Sequence, residues 1–218
     1  MRAAVQVGVL ALQGSFEPHA RAVRRLGHEP VLVRARENLG GLTHLILPGG
    51  ESTTLHHLLV LFGLFDEVRE RAARGELALF GTCAGAILMG QDDGTRPPRF
   101  GLIDATLARN AYGRQVDSFE AELAPGEFGA APLRAIFIRA PCFTGVGPQV
   151  RVLARHRGEP VLVEQGPHLA ATFHPELAGE DRILARFLGL AEGQRVGRAA
   201  SQHAAPAAGA KPELRPRA

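Results

Sequence analysis

Leu77 to Phe80 is an apolar run of the right length for a buried strand. It ends abruptly in Gly81-Thr82-Cys83-Ala84-Gly85, after which Ala86-Ile87-Leu88-Met89 reads as the first turns of a helix. A fully apolar strand running straight into a helix is the unit of a parallel sheet with helices on its faces. The same stretch constrains chemistry. A reactive side chain set between small residues at a strand-to-helix turn has the geometry of a nucleophile elbow, where glycine removes the Cβ atoms that would clash. Cys83 lies at that apex, at a helix N-terminus, where backbone N–H groups and the helix dipole favour negative charge on the sulfur. A small buried cysteine beside a packing glycine would give the same local pattern.

The rest of the first ninety residues repeats the alternation. Val5 to Leu12 reads as a buried strand ending at Gln13-Gly14, and Ser15 can cap a helix with Phe16, Ala20, Val23 and Leu26 on its apolar face. Pro30 to Val33 and Leu42 to Leu47 are further strands, the second closed by Pro48-Gly49-Gly50. Ser52 or Thr53 can cap a helix carrying Leu55, Leu58, Leu59 and Phe62, and a second helix runs from Phe65 to Arg74. Beyond a polar, proline-rich loop at Gln91 to Arg99, short β-type segments lie between Gly and Pro breaks, at Leu102–Leu107, Val116–Leu123, Arg134–Arg139, Val150–Ala154 and Pro160–Glu164. These read as mixed or antiparallel additions to the sheet. Leu169 to Phe173 is one more strand, stopped by Pro175, and Glu180 to Leu190 closes the unit as a helix. The expected fold is α/β, a single three-layer domain over residues 1–192 with a mostly parallel central sheet. Residues 193–218, rich in Ala, Pro and Arg without apolar periodicity, read as a disordered basic tail.

Charge settles one function class. Five basic against two acidic residues after position 190 account for the whole net charge of +3, so the body is neutral. A neutral body without a basic stripe argues against nucleic-acid binding. No apolar run approaches a membrane span, and the N-terminus lacks the pattern of a signal peptide, so a cytosolic, reducing setting is expected. Two cysteines, Cys83 and Cys142, form no disulfide framework, and no Cys-x-x-Cys pair suggests zinc. Neither a metal nor a cofactor is expected.

A cysteine nucleophile needs a base, and the base needs an orienting group. Of the nine histidines, His56 and His57 are adjacent on a helix and point about 100° apart, a poor metal pair. His19, His28, His44, His156 and His168 have neighbours typical of surface or loop positions. His174 differs: it follows a buried strand, and Pro175 fixes the backbone so that Glu176 can reach one imidazole nitrogen while the other faces outward. By itself this could be a strand-end histidine beside an unrelated acid; with an elbow cysteine elsewhere, the triad reading is stronger. The glycine pair Gly49-Gly50 leaves backbone N–H groups between a strand end and a helix, and such donors, with Ala84 N–H, can stabilise an oxyanion. The stretch lacks the Gly-Lys-Ser/Thr ending of a phosphate-binding loop.

Taken together, Pro-Gly-Gly-Glu, Gly-Thr-Cys-Ala-Gly and Phe-His-Pro-Glu in that order resemble the class I (triad) glutamine amidotransferases. VGVLALQG at 7–14, LPGGESTT at 47–54, RNAYGRQVDSFEAEL at 109–123, FIRAP at 137–141 and FHPEL at 173–177 are similar, within that family, to the glutaminase subunits of pyridoxal phosphate synthases. The block from Arg109 is the most specific of these. The resemblance implies glutamine hydrolysis through a γ-glutamyl thioester on Cys83, with His174 as base and Glu176 as its orienting acid. It also implies that ammonia is channelled to a barrel-type synthase partner in a multi-subunit complex. By the same resemblance Gly49, Gly50, Glu51, Arg109, Ile138 and Arg139 line the glutamine site. An arginine suits a carboxylate because its planar fork binds two oxygens. Arg139 in a surface ion pair and Glu51 as a helix-start acid are the alternatives. A glutaminase of another pathway, such as imidazole glycerol phosphate synthase, or a non-catalytic regulatory protein on the same fold, are the competing readings of the whole.

Overall fold

The computed structural model describes residues 5–91, 94, 98–109 and 118–189. The tail from 193, and most of the block that follows Arg109, lie outside the described residues, as do positions 116–117 of one expected strand.

The first half alternates as its apolar runs require: β1 (Val7–Leu10), α1 (Phe16–Arg25), β2 (Val31–Val33), a 3-10 turn (Arg36–Leu39), β3 (His44–Leu47), α2 (Ser52–Leu61), α3 (Phe65–Ala73), β4 (Ala78–Thr82) and α4 (Ala84–Met89). The second half is β5 (Ala105–Ala108), β6 (Phe119–Leu123), β7 (Leu133–Phe137), β8 (Cys142–Val146), β9 (Arg151–His156), β10 (Glu159–Gln165), β11 (His168–Ala171) and the short α5 (Pro175–Ala178). Residues 181–189 then form a further helix, α6. The main sheet has the order β2-β1-β3-β4-β11-β10-β9. Its first five strands are mutually parallel, while β10 and β9 add on antiparallel. β5–β8 and β6–β7 form separate two-stranded sheets.

Successive side chains of a strand point to opposite faces, and here each face has its own core. Leu45, Leu47, Leu79 and Ala170 pack with Leu55, Leu59, Val68 and Leu88 of α2, α3 and α4. Ile46, Phe80, Leu169 and Ala171 pack with Val23 of α1, Phe137 of β7, and Ile183 and Phe187 of α6. The three-layer expectation therefore matches the molecule. On the second face Arg25 binds Asp181 through two 2.7 Å hydrogen bonds, which ties α1 to α6.

Local expectations change in three places. Of the second-half strands only β9, β10 and β11 join the main sheet; β5, β6 and β7 stand apart from it, β5 paired with the unexpected strand β8. α2 is capped by neither Ser52 nor Thr53 but by Glu51, whose carboxylate accepts from Thr53 N and Thr54 N. A carboxylate one residue earlier can reach both free amides of the first turn. Phe62 is 47% exposed rather than on the buried face, because α2 ends at Leu61 and Gly63, at φ 66°, turns the chain away. Among the described residues no helix is long and apolar enough to cross a membrane.

Candidate active site

In an open parallel sheet, ligands collect where loops leave the carboxyl ends of the strands. β1, β3, β4 and β11 all release their loops at that edge, and they are four consecutive strands of the sheet. Leu47 of β3 pairs with Gly81 of β4, and Thr82 of β4 pairs with Ala171 of β11. The loop after β3, the elbow after β4 and the His174 turn after β11 are thereby brought side by side.

Cys83 has φ 48° and ψ −103°, a conformation that L-residues adopt only when the surroundings impose it. Its N–H donates to Ala171 O at 2.9 Å, and Ile87 N returns to its carbonyl at 3.2 Å, so the elbow is gripped from β11 on one side and α4 on the other. Gly85 permits the close passage: a Cβ there would lie 2.1 Å from Leu47 O, inside the backbone of β3. α4 begins at Ala84, two residues before the expected start, and Ala84 is thus a first-turn residue whose amide has no partner within the helix.

His174 is buried, with Nδ1 2.7 Å from Glu176 Oε1. Burial alone would lower its pKa, but hydrogen bonds to Cys83 and Glu176 and the Glu176 charge outweigh it and carry it up to about 10. Glu176 is raised by burial, yet the charge of His19 and the hydrogen bond to His174 leave it below the ordinary carboxylate value. The two shifts agree in sense: acid and base stabilise each other's ionised forms. The three sequence-predicted residues are brought together, with His174 and Glu176 hydrogen-bonded and Cys83 acting on His174.

Gly49 passes close to the base; a Cβ on it would sit 2.3 Å from His174 Cε1. Ser15 N donates to Gly49 O at 3.2 Å. Since a trans peptide points its C=O and N–H in opposite directions, the Gly50 N–H faces away from α1. Gln13 braces the same loop, donating from Nε2 to Glu51 O at 3.3 Å and accepting from Glu51 N at 3.5 Å.

A cavity of about 170 Å³ opens over this edge, and Gly50, Glu51, Cys83, Ala84, Arg109, Ile138 and Arg139 line it. Gly49, His174 and Glu176 stand behind that lining. Arg109 Nη1 donates to Thr53 Oγ1 at 3.0 Å, which holds its guanidinium at the rim. Arg139 is exposed at φ 43° and makes no ion pair with any described residue. Ser52, Ile87 and Pro141 also line the cavity; the sequence pointed to Ser52 only as a helix cap and gave the two apolar residues no site role.

The Glu51 carboxylate is occupied in capping α2, with Oε1 3.0 Å from Thr53 N and Oε2 2.6 Å from Thr54 N. Its partial burial raises the pKa, but these amides and the Thr54 hydroxyl bring it down to about 2. A carboxylate whose pKa falls on folding contributes stability above its ordinary value of 4.5 and loses it as pH drops towards 2. Glu51→Gln is therefore expected to lower stability near neutral pH by about 1 kcal/mol, the usual cost of a weakened cap. Urea unfolding at stepped pH should show the gap between parent and variant closing below pH 4.5.

Three histidines expected at the surface are buried: His19, His44 and His168. His168 Nδ1 accepts from Leu79 N at 3.2 Å, and burial lowers its pKa to about 4. His44 packs edge-on against Phe187 at 5.1 Å. His19 lies next to the triad, with Nε2 3.5 Å from Glu176 Oε1. The signal for it was present in α1: position 19 falls on the same face as Phe16, Ala20 and Val23.

Comparison with known proteins gives a consistent picture. The model of the SNO glutamine amidotransferase family matches residues 9–190. The pyridoxal 5'-phosphate synthase subunit PdxT of Thermus thermophilus is 51% identical over 187 residues, covering 85% of this chain and 97% of that protein. The protein of the same name from Desulforamulus reducens is 47% identical over 183 residues, covering 84% and 97%. A crystal structure of a glutamine amidotransferase superposes with a TM-score of 0.79 at 51% identity, covering 85% of this chain and 98% of that one. A putative GMP synthase component from Thermoplasma acidophilum, at 16% identity and a TM-score of 0.64 over 91% of this chain and all of that one, shares the fold alone.

Proposed function

The chain belongs to the SNO glutamine amidotransferase family, and from that premise we propose that it is the glutaminase subunit of a pyridoxal phosphate synthase. It hydrolyses glutamine to glutamate and ammonia and passes the ammonia to a synthase subunit for vitamin B6 synthesis. The observation that supports the reading is His174, bound to Glu176 at 2.7 Å and close enough to Cys83 for the thiol to raise its pKa, beside the cavity that Cys83 lines.

Glutamine enters with its α-carboxylate towards Arg109 and Arg139 and its side-chain amide over Cys83. The cavity is smaller than the roughly 300 Å³ at which drug-sized sites begin, which suits a single amino acid. His174, whose pKa is carried up to about 10, holds the proton while sulfur attacks the amide carbon. The oxyanion of the tetrahedral intermediate is met by the N–H groups of Gly50 and Ala84. Collapse breaks the C–N bond, and His174 returns the proton to the leaving nitrogen, releasing ammonia and leaving a γ-glutamyl thioester. His174 then removes a proton from water, which attacks the thioester and frees glutamate and the thiol. Glu176 accepts from Nδ1 throughout, so that Nε2 is the nitrogen that exchanges protons with sulfur and water.

The catalytic unit is proposed to span residues 1–192, with 193–218 as a separate basic tail. The partner is a barrel-type synthase in a multi-subunit assembly, and the setting is the cytoplasm, where a reactive thiol stays reduced. The test is isotopic. When the chain is assembled with its synthase partner and supplied with amide-¹⁵N glutamine, the label should reach the ring nitrogen of pyridoxal phosphate, with little dilution by unlabelled ammonium in the medium. Glutamate release without label transfer would remove the synthase role.

A further inference from the structure

α1 carries one residue that the triad chemistry leaves without a role. His19 is 1% exposed, in the second turn of a helix whose other buried residues, Ala20, Ala22 and Val23, are apolar. Burying an imidazole forfeits hydration and needs a polar partner in return. Here Nε2 has two oxygens before it: Thr82 Oγ1 at 3.1 Å and Glu176 Oε1 at 3.5 Å. Thr82 is fully buried and directly precedes Cys83. Glu176 has a side chain 1% exposed, its Oε1 already accepts from His174 at 2.7 Å, and its Oε2 has no hydrogen-bond partner among the described residues.

These contacts decide the tautomer. A ring nitrogen bearing a lone pair would repel a carboxylate at that distance, so Nε2 carries the hydrogen. Burial lowers the His19 pKa and the nearby His174 lowers it further, against the pull of Glu176. Near neutral pH the ring is accordingly a neutral donor, and it gains charge only as pH falls. The edge of the ring stands at 85° to Phe80, with centroids 6.3 Å apart, which fixes its plane.

We propose that His19 is a positioning residue of the glutaminase triad: its Nε2–H edge, shared between Thr82 Oγ1 and Glu176 Oε1, holds the orienting carboxylate in register with the strand that bears the nucleophile. α5, the element that carries Glu176, is a single turn of four residues and gives that carboxylate little rigidity of its own. α1 is a ten-residue helix anchored to α6 through Arg25 and Asp181. His19 lends the stiffness of α1 to the turn. The ionisable groups acting on Glu176 are His19 and His174, so losing the first makes Glu176 easier to protonate. This inference rests on the triad reading above.

The test compares two variants of the chain assembled with its synthase partner. His19→Leu keeps bulk and removes the donor, whereas His19→Gln keeps a donor and removes the imidazole. His19→Leu should lower kcat for glutamine hydrolysis by about 10- to 100-fold with KM little changed. The acid limb of kcat/KM should move to higher pH. His19→Gln should recover most of kcat and return the limb. The proposal is overturned if His19→Leu keeps the parental kcat and pH profile. It is equally overturned if His19→Gln, at parental Tm, is as slow as His19→Leu. If His19→Leu does not fold, His19→Asn replaces it, with a donor drawn back by one methylene; a kcat equal to that of His19→Gln would then refute the role. Labelling of Cys83 by a glutamine-like affinity reagent keeps the two readings apart. A parent chain that is active but unlabelled at Cys83 defeats the triad itself, whereas labelled variants with normal turnover defeat only His19.

Discussion

Cys83→Ala is expected to reduce glutamine hydrolysis by the assembled enzyme by at least about 10⁴-fold, to the background that amide binding and oxyanion donors alone provide. In the proposed mechanism the sulfur is the atom that bonds to the amide carbon, and no described side chain at the cavity offers a substitute nucleophile of comparable strength. Alanine removes one atom from a residue whose backbone is held by Ala171 O and by the start of α4, so the fold should survive. The measurement is glutamate release, paired with pyridoxal phosphate formation from ammonium salt. The first should vanish and the second persist, because the synthase partner needs ammonia and not the thiol. Retained hydrolysis would exclude Cys83 as nucleophile.

Glu176→Gln should lower kcat by about 10³- to 10⁴-fold, with KM for glutamine close to the parent value. A carboxylate can only accept, and at 2.7 Å from Nδ1 it forces the proton onto that nitrogen. A glutamine amide can instead donate to Nδ1, and His174 then adopts the tautomer whose outer nitrogen cannot take a proton from sulfur. Loss of the charge also removes support for the imidazolium. The His174 pKa, about 10 in the parent, should fall, and the pH profile should change shape along with its height. Stability shows how much of the loss is structural. The fold lowers the Glu176 pKa through His174 and His19, and removing one charge of a buried pair destabilises. The Tm is expected to fall, so the kinetics are compared well below the transition of the variant, where it is folded. A variant that is fully active would remove Glu176 from the triad.

The elbow was legible because its chemistry is local. A strand-to-helix turn with small neighbours can be read from Leu79 to Ala86, and the positive φ at Cys83 is what that sequence demands. His174 and Glu176 were legible as a rigid pair, and with the elbow cysteine they favoured a triad; the sequence could not show that they lie beside Cys83, since β11 and β4 are adjacent only through sheet order. Glu51 was legible as a helix-start acid but not as the cap itself, because Ser52 and Thr53 are commoner caps and only the path of the loop shows which oxygen reaches the free amides. His19 was missed for a different reason. Its neighbours Glu17, Pro18 and Arg21 are polar or turn-like, and they hid a helical periodicity that puts it beside Phe16, Ala20 and Val23. Burial of that face depends on α6 and the β6–β7 hairpin, both far along the chain.

Sheet order also sets a timetable. β4, with its cysteine, pairs with β11, which is made much later. During synthesis at roughly 5–20 residues per second, the elbow precedes its base by on the order of ten seconds. Through that interval the ribosome holds a chain with a nucleophile and an oxyanion loop but no proton acceptor for the thiol. Cys83 N has no Ala171 O to donate to, and Gly49 has no imidazole against it. The proposed enzyme therefore becomes reactive only when its last strand closes the sheet, so unfinished or prematurely released chains consume no glutamine and release no ammonia.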